Sequence, residues 1–244
     1  HMLGHADQDV ADFFHEIKTL ASLDHPNILR FVGISVISAE FSELALLTEL
    51  MECGLDKIIF ASQRHYTVRE ASRWCLDVAQ GLAYLHRCSP PIIHRDIKPE
   101  NILMAKEGTA KLADFGISTF KPRSQGIRNM TQKVGTPVYF APEVFSSDQY
   151  TERCDIYSLG VLMCEVYSGQ RAYSQPPWQD MPIAKIVFLV VHEQLRPLVP
   201  PEVPPTIEYI IRETLQEDPT NRPDCSAIVP RVTRIFASRH CVLH

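Results

Sequence analysis

The order of apolar and polar positions divides the chain into a short mixed N-terminal part and a long helical remainder. Over 11–23, Phe13, Phe14, Ile17, Leu20, Ala21 and Leu23 recur at helical spacing among Asp12, Glu16, Lys18 and Thr19, which predicts a helix with one apolar face. His25-Pro26-Asn27 ends it, because a residue before proline is steered away from helical backbone angles. Two apolar runs, 28–37 and 44–50, follow on either side of a polar connection of hairpin length and read as antiparallel strands.

From Thr67 the period is helical again. Thr67 and Glu70 have the spacing of a capping box, and Val68, Ala71, Trp74, Cys75, Val78, Leu82 and Leu85 form a wide apolar face that predicts a long, mostly buried helix ending near Ser89-Pro90-Pro91. Further helices are predicted at 151–167, 182–194, 206–216 and 223–237. The proline-rich connection 196–205 is too short and too apolar for a flexible linker and should pack on the surface. There is no internal repeat or low-complexity tract.

Composition narrows the class. The 244 residues carry 24 Lys plus Arg against 29 Asp plus Glu, a net charge of −5, and 45% are hydrophobic, which is a globular composition with enough apolar side chain for a sizeable core. An acidic chain has no overall field to hold nucleic acid or an anionic membrane, so neither is an expected partner. The longest apolar run, 186–191, falls far short of the roughly 20 residues a bilayer requires, and the first nine residues lack the features of a secretory signal. Seven cysteines form no CxxC pair, and an odd number cannot close into a full disulfide framework, so a reducing cytoplasmic compartment is expected, with a nuclear one also compatible.

Chemistry concentrates after the long helix. His94-Arg95-Asp96-Ile97-Lys98-Pro99-Glu100-Asn101 is followed by Asp114-Phe115-Gly116, then by Gly135-Thr136-Pro137-Val138-Tyr139-Phe140-Ala141-Pro142-Glu143, Asp155-Ile156-Tyr157-Ser158-Leu159-Gly160 and Asp218-Pro219-Thr220-Asn221-Arg222-Pro223. Taken singly, Asp96 and Asp114 are as well explained as turn formers and Asn101 as a loop cap. Together, in this order and near this spacing, the five segments resemble the motifs of eukaryotic protein kinases over roughly residues 8 to 237. Lys98 resembles the serine/threonine-specific pattern, and the stretches 27–33, 44–49 and 135–143 resemble the tyrosine-kinase-like branch, which despite its name mostly phosphorylates serine and threonine.

The resemblance implies an α+β, protein-kinase-like fold: a truncated small N-lobe, a helix plus about two antiparallel strands over 1–52, and a complete, mainly α-helical C-lobe over 53–244. It implies ATP and Mg²⁺ as cofactors and a protein with a Ser/Thr hydroxyl as substrate. Phosphoryl transfer leaves little covalent work to protein groups, so its residues align a hydroxyl and neutralise phosphate charge. On that pattern Asp96 orients the hydroxyl and accepts its proton, Lys98 pairs with the γ-phosphate, and Asn101 and Asp114 supply the hard oxygen ligands of the metal. Residues 44–51 resemble the last N-lobe strand running into the hinge: Thr48 as gatekeeper, the backbone of Glu49 and Met51 against adenine, and Leu103 as the apolar floor.

By the same resemblance Glu16 is the acidic partner of an ATP-clamping lysine, although alone it reads as an exposed helix carboxylate. Leu20, Phe31, His94 and Phe115 resemble a stacked spine, Asp155 a buried acceptor for catalytic-loop amides, and Glu143 with Arg222 a buried ion pair. Residues 114–143 resemble the activation segment, in which Arg95 would receive a phosphate, Thr131 is the leading phosphosite and Thr136 matches the substrate-loop threonine. Cys53 reads as a small hydrophobe rather than a reactive thiol.

Only fifteen residues precede Glu16, with no lysine and no Gly-x-Gly-x-x-Gly among them, whereas family spacing places the clamp lysine roughly 15 to 20 residues upstream. Lys18 lies about 200° around the helix from Glu16 and cannot substitute. The expectation is a serine/threonine kinase domain whose phosphotransfer is impaired in this chain. The alternative, from another class, is a pseudokinase-like scaffold or regulatory binding module.

Overall fold

Helix α1, Val68–His86, starts where Thr67 and Glu70 satisfy one another: Thr67 Oγ1 accepts the Glu70 N–H at 3.2 Å, and Glu70 Oε2 accepts the Thr67 N–H at 2.8 Å. Its predicted apolar face is the buried one, from Val68 to Leu85. The computed structural model describes residues 17–18, 20–36, 44–61, 65–114, 137–146, 150–199, 201 and 203–237. Of the helix expected over 11–23, the described residues 17, 18 and 20–22 are helical; Glu16, Phe115, Thr131 and Thr136 lie outside the described residues.

The two N-terminal runs form β1, Phe31–Val36, and β2, Leu44–Thr48, paired antiparallel with Ile34 opposite Leu46 and an irregularity between Phe31 and Gly33. A two-stranded ribbon cannot enclose both of its faces. Val32, Ile34, Leu46 and Leu47 are accordingly exposed, and Leu50 beyond β2 is 97% exposed.

A second sheet within the helical body has order β3-β4-β5: Cys53–Gly54, Ile102–Met104 and Ala110–Leu112, all antiparallel. Strands of two or three residues leave no periodic trace in sequence, which is why they escaped the pattern. β5 is held on its other side by the segment before β1: Leu29 N–H donates to Leu112 O at 2.8 Å and Leu112 N–H to Asn27 O at 2.9 Å. The Asn27 side chain donates to Ala110 O at 3.1 Å, and Ala110 N–H donates to buried Asp77 of α1 at 3.0 Å. Gly81 of α1 permits this approach, since a Cβ there would stand 2.8 Å from Asn27 O.

The later helices are a short α2, Pro142–Ser146, then α3, Arg153–Ser168, α4, Ile183–His192, α5, Pro205–Thr214, and α6, Cys225–Ala237. α3 is buried on every side from Cys154 to Val166 and ends at Gly169 in the left-handed region, φ 67°. α4 stops before the predicted 194 because Gln194 is itself left-handed, φ 54°. α6 begins later than predicted because Asp224 caps it, its Oδ1 accepting the Ala227 N–H at 2.8 Å. In the connection 196–205, Pro197 and Val203 are buried while Leu198 faces outward, as a packed surface segment requires. Among the described residues no helix is long and apolar enough to cross a membrane.

Candidate active site

The loop between α1 and β4 has no regular structure until the tight turn Pro99–Asn101, so its shape must come from side chains. Asp155, fully buried in the first turn of α3, provides it. Its Oδ2 accepts the His94 N–H at 2.9 Å, its Oδ1 accepts the Arg95 N–H at 2.8 Å, and His86 Nε2 lies 2.8 Å from Oδ2. Burial alone would raise the Asp155 carboxyl, but the His86 bond, the nearby histidines and the Arg95 amide outweigh it and hold it below the ordinary range.

His94 is completely buried. Its Nδ1 accepts the Asp96 N–H at 3.3 Å and its Nε2 faces Ala113 O at 3.1 Å, so the proton sits on Nε2 and the ring ties the loop to the end of β5. Burial lowers the pKa of this imidazole, against the pull of Asp155 and Asp96. Between these anchors Arg95 takes a left-handed backbone, φ 69°, a strained conformation for a non-glycine residue, with its guanidinium 5.5 Å from the centre of the Tyr150 ring.

That bend brings Asp96, Lys98 and Asn101 together. Asp96 Oδ2 accepts from Lys98 Nζ at 2.6 Å and from Asn101 Nδ2 at 2.7 Å, and Asn101 Nδ2 also reaches Asp96 O at 2.9 Å. Asn101 O in turn accepts the Ala113 N–H at 2.9 Å, which places Asp114 one residue beyond the contact. Asp114 is exposed and left-handed, φ 58°, so the backbone turns out of line at the end of β5.

The Asn101 amide nitrogen is committed to Asp96, which leaves its side-chain oxygen as an acceptor, while Asp114 follows the residue bonded to the Asn101 backbone and is exposed. Among the described residues no three His, Cys, Asp or Glu side chains form a closed metal cage. One amide oxygen and one carboxylate fit a hard cation that keeps waters and shares phosphate oxygens, as Mg²⁺ does.

The residues assigned to adenine are less closely gathered. Thr48 is exposed, its hydroxyl donating to Glu49 O at 3.3 Å; Met51 and Leu103 are half-buried; and Glu52 N–H donates to Met104 O at 2.9 Å, fixing this segment beside β4. Leu20 packs on the core, and Phe31 is half-buried in β1. Glu143 and Arg222 form a two-bonded pair at 2.6 and 2.8 Å.

Several site contacts were not read from the sequence. Lys111 of β5 binds the Glu49 carboxylate at 2.7 and 2.9 Å. Glu165 of α3, 1% exposed, accepts from the Tyr139 hydroxyl at 2.9 Å and from Ala172 N–H at 2.8 Å. Arg171 binds Glu100 at 2.9 Å while lying 4.4 Å from the centre of the Phe60 ring. These partners lie 62, 26 and 71 residues apart for the Lys111, Tyr139 and Arg171 contacts, so no local pattern announces them.

The chain is similar to known proteins over most of its length. Residues 4–231 match the model of the protein kinase domain. The chain is 34% identical over 230 residues to the probable serine/threonine-protein kinase drkC of Dictyostelium discoideum, covering 92% of this chain and 30% of that protein. It is 30% identical over 237 residues to the dual specificity protein kinase shkA of the same organism, covering 96% and 44%. It is 32% identical over 229 residues to human mitogen-activated protein kinase kinase kinase 7, covering 92% and 36%. The chain thus spans about a third of the length of the first relatives, drkC and its neighbours. With the kinase-domain match running over nearly its whole length, the chain belongs to the protein kinase family.

Proposed function

We propose that this chain is a serine/threonine protein kinase domain of the kind that transfers the γ-phosphate of ATP to protein hydroxyls, with that transfer impaired in this chain, where no lysine and no Gly-x-Gly-x-x-Gly stand among the fifteen residues before Glu16. The observation that carries the reading is the Asp96, Lys98 and Asn101 cluster, on a loop pinned from below by Asp155 and from the side by His94. Asp96 is held by two donors on one oxygen, which leaves the other free to orient a substrate hydroxyl and take its proton. Lys98 stands beside it as the cation that would meet the transferred phosphoryl group. Asn101 and Asp114 would hold Mg²⁺, which when bound supplies charge neutralisation at the phosphate oxygens.

In the same reading Thr48, Glu49, Met51 and Leu103 form the adenine side, with 1–52 and 53–244 as the two lobes. Leu20, Phe31, His94 and Phe115 form the spine that joins the lobes, Glu16 is the acidic partner of an ATP-clamping lysine, and Arg95 receives a phosphate placed on Thr131, with Thr136 in the substrate loop. The serine/threonine names of drkC and drkB support that specificity, while shkA is named a dual specificity kinase.

The test is transfer of labelled phosphate from Mg·ATP to serine, threonine and tyrosine peptides. Weak labelling of the first two that Asp96→Asn abolishes, with nucleotide affinity little changed, is the expected result. Nucleotide binding without transfer would instead favour the scaffold class, and transfer unaffected by Asp96→Asn would remove Asp96 from the chemistry.

A further inference from the structure

Glu49 follows β2 and Lys111 sits in the middle of β5, yet Lys111 Nζ lies 2.7 and 2.9 Å from the two Glu49 carboxylate oxygens. Both side chains are mostly shielded, Lys111 13% and Glu49 18% exposed. Glu49 is gripped a second time by Arg30: its Oε1 accepts the Arg30 N–H at 2.8 Å and its own N–H donates to Arg30 O at 3.0 Å. Burial opposes the charge on Glu49, but the Lys111 and Arg30 bonds together keep its carboxyl below the usual range.

A shielded ion pair is a poor source of net stability, because desolvation offsets much of the attraction, while its geometry is specific. Here the geometry joins two places that a phosphotransfer site must keep in register. On one side is the 49–51 backbone. On the other is β5, where Lys111 is the cross-strand partner of Leu103 and stands three residues before Asp114.

We propose that Lys111 is a positioning residue for nucleotide: by holding the Glu49 carboxylate it fixes the 49–51 backbone against β4 and β5, so that the adenine side and the metal side of the site stay in one arrangement. This rests on the kinase reading, since it takes the 49–51 backbone to face adenine. Leu29 and Asn27 already tie the segment before β1 to β5 through backbone bonds with Leu112, and Arg30 joins Glu49 to that same end of the ribbon, so the Lys111 contact adds a direct side-chain tie from β5 to the end of β2.

Two measurements test it on the same proteins: hydrogen exchange at the 49–51 amides of the free chain, and titration with Mg·ADP. Lys111→Met should speed exchange at those amides about tenfold while leaving the α3 amides unchanged, and should weaken ADP by about five- to tenfold. Lys111→Arg, which keeps a donor cation, should restore both. Glu49→Gln should resemble Lys111→Met, with the double variant no worse than either alone. The proposal is overturned if Lys111→Met leaves the 49–51 amides as protected as in the wild type, if α3 loosens equally, or if Lys111→Arg is no better than Lys111→Met. Lys111-dependent protection in a wild-type chain that binds no Mg·ADP would overturn the kinase reading and the nucleotide role with it, leaving a purely structural latch.

Discussion

Arg222 lies fork to fork on Glu143, with Nη1 on Oε1 at 2.6 Å and Nη2 on Oε2 at 2.8 Å, and its side chain is fully buried. Its remaining donors are spent as well: Nε on Gln216 O at 2.8 Å, and the terminal nitrogens also on Arg153 O at 3.0 Å and Glu217 O at 3.1 Å. The guanidinium therefore ties α2, the start of α3 and the turn before α6 at one point. Arg222→Ala would leave Glu143 without its cation and take a donor from three carbonyls, and should destabilise by about 3 to 5 kcal/mol. Chemical unfolding measures this; a wild-type midpoint would show that the pair carries no stability. Arg222→Lys should recover only part, because an ammonium cannot present the planar fork.

Asp155 acts on shape where Arg222 acts on assembly. An asparagine there keeps the volume but offers one acceptor oxygen in place of two, so the amides of His94 and Arg95 cannot both be satisfied. Asp155→Asn should cost about 1 to 3 kcal/mol and raise exchange at those two amides before the rest of α3 loosens. Equal protection in both proteins would remove Asp155 from control of the loop.

Glu165 makes stability depend on pH in a direction unusual for a carboxylate. Burial, aided by the nearby Glu100 charge, pushes its carboxyl up to about 7 against the bonds from Ala172 and Tyr139 that resist the rise. A folded pKa above the unfolded one means that its stabilising contribution is complete below about pH 4.5 and is lost as pH rises through about 7. The loss is of the order of 3 kcal/mol at full titration, from a rise of roughly 2.5 pH units. His94, lowered by burial, pulls the other way as pH falls, so the informative quantity is the difference between wild type and Glu165→Gln. The wild type should lose ground to the variant between about pH 5 and 8 in thermal melts, and parallel curves would contradict the assignment.

What could be read before the structure was local or motif-borne. The capping box at Thr67 and Glu70 and the apolar face of α1 are encoded within a few residues, and the structure reproduces them. The Asp96, Lys98 and Asn101 cluster spans six positions, so its residues could be named together before their bonds were known. Lys111 could not be found this way, because its partner Glu49 lies 62 residues earlier and a lysine in a strand looks like any solvent-facing residue. The left-handed backbone of Arg95 was equally hidden: nothing in its identity favours that conformation, which is imposed by Asp155 and His94 on either side. Charge pairs and strain belong to the tertiary fold, and only the fold exposes them.

Asp114 permits a test that separates charge from shape. Its φ of 58° is a conformation that asparagine tolerates nearly as well as aspartate, so Asp114→Asn should leave the backbone at the end of β5 in place. The Ala113 N–H to Asn101 O bond, which sets the approach of the two candidate ligands, does not involve the altered side chain. What changes is one negative charge on an exposed group facing the proposed cation. Hard divalent ions bind carboxylate oxygens far better than amide oxygens. The Mg²⁺ concentration giving half of the maximal ATP-induced thermal shift should therefore rise by about tenfold or more, while the melting temperature without nucleotide stays at the wild-type value. A variant that melts normally and needs no additional Mg²⁺ would show that Asp114 does not hold the metal, and the assignment of the cation site would have to move to other residues.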